Sequence, residues 1–473
     1  MALLQVEVPA QGNYERKLER TYVSALTSQA VESVDQPENF SLGLSAPDDA
    51  STALPSEPMT LAYKQPRQSG NFYQAKGGNT ATASDLARLN EAAWKTKMDW
   101  PGSFPFFGTK TRAQLSGFVK FDAIHDNNAI TTPTAFVTAK IVVDDPTAAE
   151  GADGQTHFSV QASRINFETR TPVSDHVLTT HISIDNYADY ASSVAKLRLR
   201  SAFGRVTNVL LGGDILFGQH FSTVTDLSAL PNTLDFEGPS AFYGLRVPML
   251  RWTRKLREDF TFDLAMETPN NHSFINAQSA AEWPDIITAL SWQRKKRIEL
   301  KGSLLYRDLR AAVDDIQQLD PSESGTASAN GWGVSLSGRI HMPEPIEQDF
   351  WTFWVLKGQG IGSKLNDLPP DAIYDTDTNQ LKALPANGFI ASYQHWWNTK
   401  FYSVASYSVL DIDNTRFQAD NAYGQGKYGS FNIVWTPIHN WLLGVEALRG
   451  SRENKDGQDA HVTRFQFSTR LTF

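Results

Sequence analysis

The chain has 473 residues, 41% of them hydrophobic, with a mean hydropathy of −0.37, and no run approaches the ~20 apolar residues that a membrane-spanning helix needs. The absence of cysteine excludes disulfides, thiol catalysis and zinc–thiolate sites. A net charge of −9, without any polybasic run, argues against nucleic acid as a partner.

Residues 1–100 differ in composition from the rest of the chain. They are rich in Ser, Ala, Pro, Gln and Asn and show no sustained period, which predicts a largely irregular N-terminal extension. Within it, SDLARLNEAAWK at 84–95 predicts a short helix with Ser84 or Asp85 as N-cap. The opening sequence MALLQVEVPAQGNYERKLER lacks the features of a secretory signal peptide. We interpret it as the start of a processed or engineered chain.

From about residue 113, apolar and polar side chains alternate with the period of a β-strand. The alternation is clearest in QLSGFVKFDA at 114–123, KLRLRSAF at 196–203 and RFQFSTRLTF at 464–473. Each of these strands is predicted to have one apolar and one polar face. The apolar faces comprise Leu115, Val119, Phe121, Ala123, Leu197, Leu199, Phe203, Phe465, Phe467, Leu471 and Phe473.

The same pattern recurs along the chain and predicts about sixteen strands, an even number typical of bacterial outer-membrane barrels. Short turns such as TPIHN at 436–440 alternate with long polar connections such as 308–330, as they do in such barrels. The predicted fold is therefore all-β, an antiparallel transmembrane barrel over 101–473. The further strands are predicted near 156–170, 175–186, 206–217, 239–254, 259–269, 283–294, 297–308, 330–342, 349–361, 387–398, 399–410, 425–436 and 439–452.

Aromatic residues lie where the membrane interfaces of such a barrel are expected. Trp435 and Trp441 flank one short turn, and Trp396 and Trp397 lie at another, which predicts an interfacial girdle. Phe473 ends the chain on the apolar face of the last strand, the position that the barrel-assembly machinery of Gram-negative outer membranes selects. The sequence therefore predicts a cell outer membrane location, with outer-membrane lipid and that machinery as partners.

Basic residues on the polar faces are the most informative candidates for function. If Leu197 and Leu199 face lipid, the neighbouring cations face the lumen, because Lys or Arg at the lipid midplane costs ~2–4 kcal/mol. A planar guanidinium can hold a carboxylate with two bonds, although pairing with lumenal carboxylates is an alternative role. The predicted pore-lining set is Lys196, Arg198, Arg200, Arg164, Arg246, Arg307, Arg339, Arg464, Arg470, Lys120, Asp122 and Glu267.

The connection GQHFSTVTDLSALPNTLDFEGP at 218–239 is long and falls about a third of the way along the predicted barrel. We predict that it folds into the lumen and narrows it, the alternative being an ordinary external loop. Its candidate constriction residues are Ser222, Thr223, Asp226, Asp235 and Glu237.

Other motifs give no catalytic or metal site. GQGKYG at 424–429 matches a Gly-rich phosphate motif but lacks the strand–turn–helix setting. DIDNTRFQADN at 411–421 does not keep EF-hand spacing, and the sequence contains neither HExxH nor GxSxG. We therefore predict no catalytic residue, no cofactor and no metal. The alternatives left open are a soluble secreted all-β carbohydrate-binding or adhesion protein and an outer-membrane barrel enzyme.

Several segments together resemble the DcaP-like trimeric porins of Gram-negative bacteria. They are PGSFPFFGTKTRAQLSGFVKFDAIHD at 101–126, LRLRSAFG at 197–204, LPNTLDFEGP at 230–239 followed by Arg246 and Arg251, METPNN at 266–271, and GVEALRGSREN at 444–454. The resemblance implies a sixteen-stranded homotrimeric barrel with a basic narrowing, an anion-selective channel that passes small organic anions such as dicarboxylates. The family's periplasmic coiled coil is not supported, because residues 1–100 show no heptads.

Overall fold

The computed structural model describes residues 100–106, 110–144, 151–189, 191–192, 194–269, 272–294, 297–313 and 325–473. The helix predicted at 84–95 lies outside these residues. Sixteen strands form one closed antiparallel barrel, as predicted. They are β1 Arg112–Asp126, β2 Arg164–Val173, β3 His176–Asp185, β4 Arg198–Leu210, β5 Gly213–Phe221, β6 Arg246–Lys255, β7 Phe260–Glu267, β8 Asp285–Arg294, β9 Ile298–Val313, β10 Gly325–His341, β11 Phe350–Gln359, β12 Pro385–Trp396, β13 Phe401–Ile412, β14 Tyr423–Ile438, β15 Trp441–Asn454 and β16 Asp459–Thr472.

The barrel closes where its first and last strands meet. Residues 118–126 of β1 pair with β16, while residues 112–118 pair with β2. At the end of this seam, Gly117 and Phe473 exchange two backbone hydrogen bonds of 3.0 Å. Closure leaves no unpaired edge, which a strand surrounded by lipid could not tolerate.

Turns of two to eight residues lie on one side of the barrel, and the long loops lie on the other. The long connections that contact the lumen are loop 1 (127–154), loop 2 (186–197), loop 3 (222–245), loop 4 (268–284) and loop 6 (360–384). Short turns at the periplasmic side and long external loops are characteristic of bacterial barrels. Outside the sixteen strands, the short elements are the strands Phe104–Pro105, Gln155–Ser159, Phe274–Ile275, Gln278–Ser279, Ala372–Asp375 and Gln380–Ala383 and the 3-10 turns Thr138–Lys140 and Gly362–Lys364.

The outer surface of the barrel is apolar. Leu115, Val119, Phe465 and Leu471 are each more than half exposed, as their positions on the predicted apolar faces require. Water would oppose so continuous an apolar surface, whereas lipid tails stabilise it. The alternating pattern therefore describes a wall between lipid and lumen.

None of the helical segments among the described residues has the length and apolar character to span a bilayer.

Several predicted strand boundaries are wrong. The strand predicted near 239–254 begins only at Arg246, and the one predicted near 156–170 is interrupted between Ser159 and Arg164. The sequence predicts separate strands at 196–203 and 206–217, but β4 continues through Gly204 to Leu210. The turn lies at Leu211 and Gly212, which have positive φ angles of 52° and 72°. Such turns are usually marked by Asn-Gly or Asp-Gly, so an apolar Leu at this position carries no recognisable signal.

A β-bulge changes the direction of side chains within β4. Ile184 pairs with Leu199 and Ser183 with Ser201, so Arg200 is the extra residue that the bulge inserts into the strand register. Beyond it the inward and outward faces exchange. Phe203, predicted on the lipid face, therefore points inward, with its ring 5.0 Å from His181 and 4.7 Å from His220.

The predicted aromatic girdle is correct for three of its four tryptophans. Trp435, Trp441 and Trp397 are exposed on the outer surface. Trp396 instead packs against the cluster of buried apolar residues inside the barrel. It is held there because its backbone N–H donates to Asp349 at 2.8 Å.

Candidate functional site

Loop 3 leaves the wall after β5 and extends to the far side of the sixteen-stranded ring. Its residue Leu234 packs against Tyr402 and Val404 on β13, Val434 on β14 and Leu442 on β15. These side chains lie on the inner faces of their strands. Because β5 and β14 are on nearly opposite sides of the ring, loop 3 lies inside the barrel.

Carboxylates of the wall hold this loop in place. Glu446 on β15 accepts hydrogen bonds from the backbone N–H groups of Leu234 at 2.9 Å and Asp235 at 2.8 Å. Glu267 on β7 accepts one from Thr223 at 2.6 Å. A carboxylate that accepts backbone N–H groups makes charge-assisted hydrogen bonds. Glu267, predicted to line the pore, therefore anchors the start of loop 3.

Most of the predicted constriction residues share this anchoring role. Ser337 of the wall donates to Asp226 at 2.8 Å, and Asp235 accepts the backbone N–H of Phe136 in loop 1 at 3.0 Å. Ser222 and Thr223 are buried at the start of the loop. Of the five predicted residues, only Glu237 is partly exposed.

Loops 3 and 6 pack together against the inner wall formed by β8 to β13. Phe242 of loop 3 meets the fully buried Trp354 of β11 edge to face, with ring centroids 5.3 Å apart. Leu365 of loop 6 and Ile390 of β12 belong to the same buried cluster. This half of the interior contains an apolar core.

Cations cluster on the opposite half of the wall. The register places Lys120 beside Arg470, Arg164 beside Asp185, and Asp185 beside Arg198. The bulge brings Arg200 to the same inner face, on which Asp122 and Asp185 are the carboxylates in ion-pair contact with these cations. We call this group of cations the basic arc. Its members are Arg470, Lys120, Arg164, Arg198 and Arg200, together with Arg246, which begins β6 and interacts electrostatically with Arg164.

Aromatic rings support the guanidinium groups of the arc. Arg164 and Arg470 lie over Phe118, 5.2 and 5.4 Å from the ring centroid. Arg246 lies 4.2 Å from the centroid of Phe221. Cation–π contacts of this kind hold a cation without neutralising its charge.

Loop 3 meets the arc at Phe236. The Arg198 guanidinium lies 5.6 Å from the Phe236 ring, which stacks at 3.7 Å on Tyr187 of loop 2. The Tyr187 hydroxyl donates to the Thr134 carbonyl of loop 1 at 2.7 Å. These two aromatic residues, which join three loops, are missing from the predicted site. In the sequence, each is marked only as an aromatic residue within a polar loop between strands.

Two carboxylates partly balance the arc. Asp185 binds Arg198 at 2.8 Å and Arg200 at 2.5 Å, and Lys120 binds Asp122 at 2.8 Å. Arg164 interacts electrostatically with Arg198, Arg200 and Arg246. Cations therefore outnumber carboxylates on this part of the wall, which favours a local positive potential.

Four cations of the predicted pore-lining set lie outside the basic arc: Lys196, Arg307, Arg464 and Arg339. Lys196 precedes β4, and its side chain is 57% exposed in an ion pair with Asp189, so it is not part of a ladder within the strand. Arg307 and Arg464 point inward as predicted, but both are fully buried and bind loops.

The partners of these buried arginines explain the correction. Arg307 contacts Asp371 of loop 6 at 2.7 Å and Asp285 at 3.3 Å. Arg464 binds Asp126 of β1 and donates to the Pro133 carbonyl of loop 1 at 3.0 Å. Strand parity determines the side to which a residue points, whereas the loop that covers it determines its role.

Arg339, also in the predicted set, lies beside loop 3 away from the arc. Its Nε donates to the Ser228 carbonyl at 2.9 Å, and its guanidinium is 4.6 Å from the Phe350 ring centroid. Within the described part of the chain, no group of three or more His, Asp or Glu residues is placed to hold a metal ion.

Glu237 is an acidic side chain of loop 3 that interacts electrostatically with Arg198 and Arg246 of the arc. Burial and the negative charge of Asp235 raise the pKa of Glu237 to about 7, and Arg198 and Arg246 oppose part of this rise. Its charge therefore changes near neutral pH, directly opposite the basic arc.

Solved structures show the same architecture. The crystal structure of the outer membrane channel DcaP of Acinetobacter baumannii matches with a TM-score of 0.68 at 18% sequence identity, over 79% of this chain and 100% of that one. The barrel has the fold of the DcaP channel. An anion-selective porin from Comamonas acidovorans matches with a TM-score of 0.52 at 9% identity, over 77% of this chain and all of its own. The sequence matches no protein-family model and no curated protein.

The DcaP-like resemblance predicted from the sequence is thus confirmed at the level of the fold. A closed barrel with an apolar outer surface is an outer-membrane barrel, so the predicted location is also confirmed. The soluble alternative, in which the apolar faces form the core of a sandwich, is wrong because those faces lie outside.

Proposed function

We propose that the protein is a porin through which small organic anions, including dicarboxylates, diffuse passively. The observation that carries this proposal is the basic arc, six cations on one inner face opposite the lumenal loop 3. A wall of one charge sign raises the local concentration of the opposite ion. Loop 3 crosses the lumen in front of this wall and, in our proposal, forms the constriction.

The spacing of the arc suits a dicarboxylate. Its arginines lie on several neighbouring strands, so two separate guanidinium groups can meet the two ends of one solute. Release must remain easy, because a channel needs binding weak enough to allow exit. Several cations in series, partly balanced by Asp122 and Asp185, satisfy that requirement better than one strong site.

Single-channel recording in a planar bilayer tests the function. Under a tenfold KCl gradient we expect a reversal potential that shows preference for chloride. A dicarboxylate such as succinate should block current at lower concentration than the monocarboxylate propionate, and a diamine of similar length should not block. Cation preference, or equal block by the diamine, would contradict the proposal.

The pKa of Glu237 gives the channel a pH dependence. Below its pKa of about 7 the side chain is neutral, so lowering the pH removes a negative charge opposite the arc. We expect anion preference to rise as the pH falls from 8 to 6. Glu237→Gln should show the high preference at both pH values. A pH response that persists in this variant would assign the effect to another group.

We also propose a homotrimer, which the DcaP-like resemblance implies. A patch of small or hydroxylated side chains on the outer surface of β2 to β4 supports this assembly. Thr169 and Thr180 share a hydrogen bond of 2.6 Å there, beside Ala202 and Gly204. Small side chains in such a patch allow another protein surface to approach closely. Light scattering in mild detergent should give three times the mass of one chain, and a monomeric mass would oppose the assembly.

A further inference from the structure

A groove in the outer wall lies next to two cations that face outward. The groove lies on β14 to β16 and β1, and Lys427 and Arg449 lie on its side nearer the long loops. We propose that this face binds a phosphate-bearing, acylated membrane lipid, with an acyl chain in the groove and the phosphate between Lys427 and Arg449.

Small and large side chains on neighbouring strands form the groove. Ala447 pairs with Phe431 on one side and with Phe465 on the other. In the next row, Val445 pairs with Phe467. The small Ala447 between two exposed rings leaves a depression, and the open groove has a volume of about 470 Å³. Its width and apolar walls suit a hydrocarbon chain.

The two cations are close enough to share one phosphate. Lys427 lies opposite Ser451, and Arg449 lies opposite Gly429, so the cations are diagonal neighbours on adjacent strands. Diagonal neighbours are roughly 7–8 Å apart, within reach of long side chains. Gly429 has no side chain to fill the space between them.

These side chains retain their charge for a ligand. Both are exposed, and among the described residues neither forms an ion pair with a carboxylate. Arg449 has one weak hydrogen bond, from Nη1 to the Thr463 hydroxyl at 3.3 Å. An anionic headgroup complements this pair.

Their height on the wall matches that of a lipid headgroup. Lys427 and Trp435 are eight residues apart on the outward face of β14, which corresponds to about 26 Å along the strand. A tilt of about 40° reduces this to about 20 Å across the membrane, close to the ~25 Å apolar band of such barrels. With Trp435 at one interface, Lys427 and Arg449 lie near the other.

Two other outward-facing cations of the described wall do not combine a second nearby cation with an apolar groove. Arg310 on β9 is paired with Glu282. Lys357 on β11 is exposed but has Val334 and Asn387 as its cross-strand neighbours, without a second cation. Lys357 therefore provides a matched control for the charge alone.

Native mass spectrometry of the full chain in mild detergent tests the site, with lipid A, a bis-phosphorylated acylated disaccharide, as the probe. We expect Lys427→Gln/Arg449→Gln to reduce lipid A binding about tenfold, since each cation near a membrane surface contributes to anionic lipid attraction. Lys357→Gln should bind like the wild type. Ala447→Trp, which fills the groove and leaves both cations, should also reduce binding.

Two further arms separate the alternatives. Dephosphorylated lipid A should bind weakly to the wild type, and inorganic phosphate at equal concentration should not displace lipid A. Unchanged binding in both groove and cation variants, or displacement by inorganic phosphate, would overturn the lipid site. Disulfide-linked dimers of Ala447→Cys in membranes would assign the groove to a second copy and would also overturn it. Channel conductance should be the same in all these variants, so this test is independent of the proposed porin function.

Discussion

Replacing Arg164 and Arg246 together by glutamine should reduce the anion-to-cation permeability ratio about threefold or more, because the two charges belong to one positive surface beside the lumen. Arg164 interacts electrostatically with Arg198, Arg200 and Arg246, so the pair lies within the arc. Reversal potentials in a tenfold KCl gradient measure the change. At 1 M salt the Debye length is about 3 Å, and the difference between variant and wild type should nearly vanish.

This pair of substitutions is a cleaner test than removal of Arg198 and Arg200. Both of those arginines bind Asp185, and their loss would leave a buried carboxylate without its cations. Lys196→Gln is the matched control, because this cation is exposed and lies outside β4. We expect the control to retain the wild-type reversal potential. A double variant that also retains it at low salt would refute the role of the arc.

Replacing Arg464 by methionine should destabilise the barrel by about 3–5 kcal/mol, the usual cost of removing one partner of a buried ion pair. Arg464 binds both oxygens of Asp126, at 2.7 and 2.8 Å, and lies 3.4 Å from Asp235. All three side chains are buried, so water cannot replace the lost cation. The urea midpoint for folding into detergent micelles should fall, and heat-modified migration should occur at a lower temperature.

Two comparisons separate this effect from a general effect of removing a charge. Arg416→Met breaks an ion pair with Asp377 in which both side chains are mostly exposed. Such a pair contributes about 0–1 kcal/mol, so the midpoint should hardly move. Adding Asp126→Asn to Arg464→Met should recover part of the stability, because it removes the unpaired charge. A similar midpoint for Arg464→Met and Arg416→Met would contradict the anchoring role.

The inward or outward direction of side chains within single strands is what the sequence predicted best. Leu115, Phe465 and Leu471 face outward as expected, and Arg164 and Arg470 face inward. The reason is local, since successive side chains of a strand must point to opposite faces. Lipid on one side then makes the apolar face the outer one.

Where a strand departs from regular geometry, prediction from the sequence was wrong. The bulge at Arg200 reverses the direction of Phe203, and it depends on how β4 pairs with β3. The turn at Leu211 and Gly212 likewise follows from the pairing of β4 with β5. The sequence of a single strand does not specify which of its residues pair with those of the neighbouring strand.

The roles of the inward cations depended on still more distant parts of the chain. Arg307 and Arg470 both occupy inward-facing positions of their strands, yet Arg307 is enclosed by loop 6 and Arg470 belongs to the arc. Leu234 meets Leu442 because loop 3 crosses the interior, a contact that alternation along a strand cannot specify.

The sequence by itself therefore determined the barrel, the even number of strands, the outer-membrane location and the face on which each regular strand residue lies. These properties follow from a period of two and from the cost of exposing polar groups to lipid. Only the tertiary structure decided which inward charges are neutralised in loop anchors and which form the basic arc. That division depends on contacts between residues far apart in the chain, and a carboxylate reaches its cation only after the loops have packed against the wall.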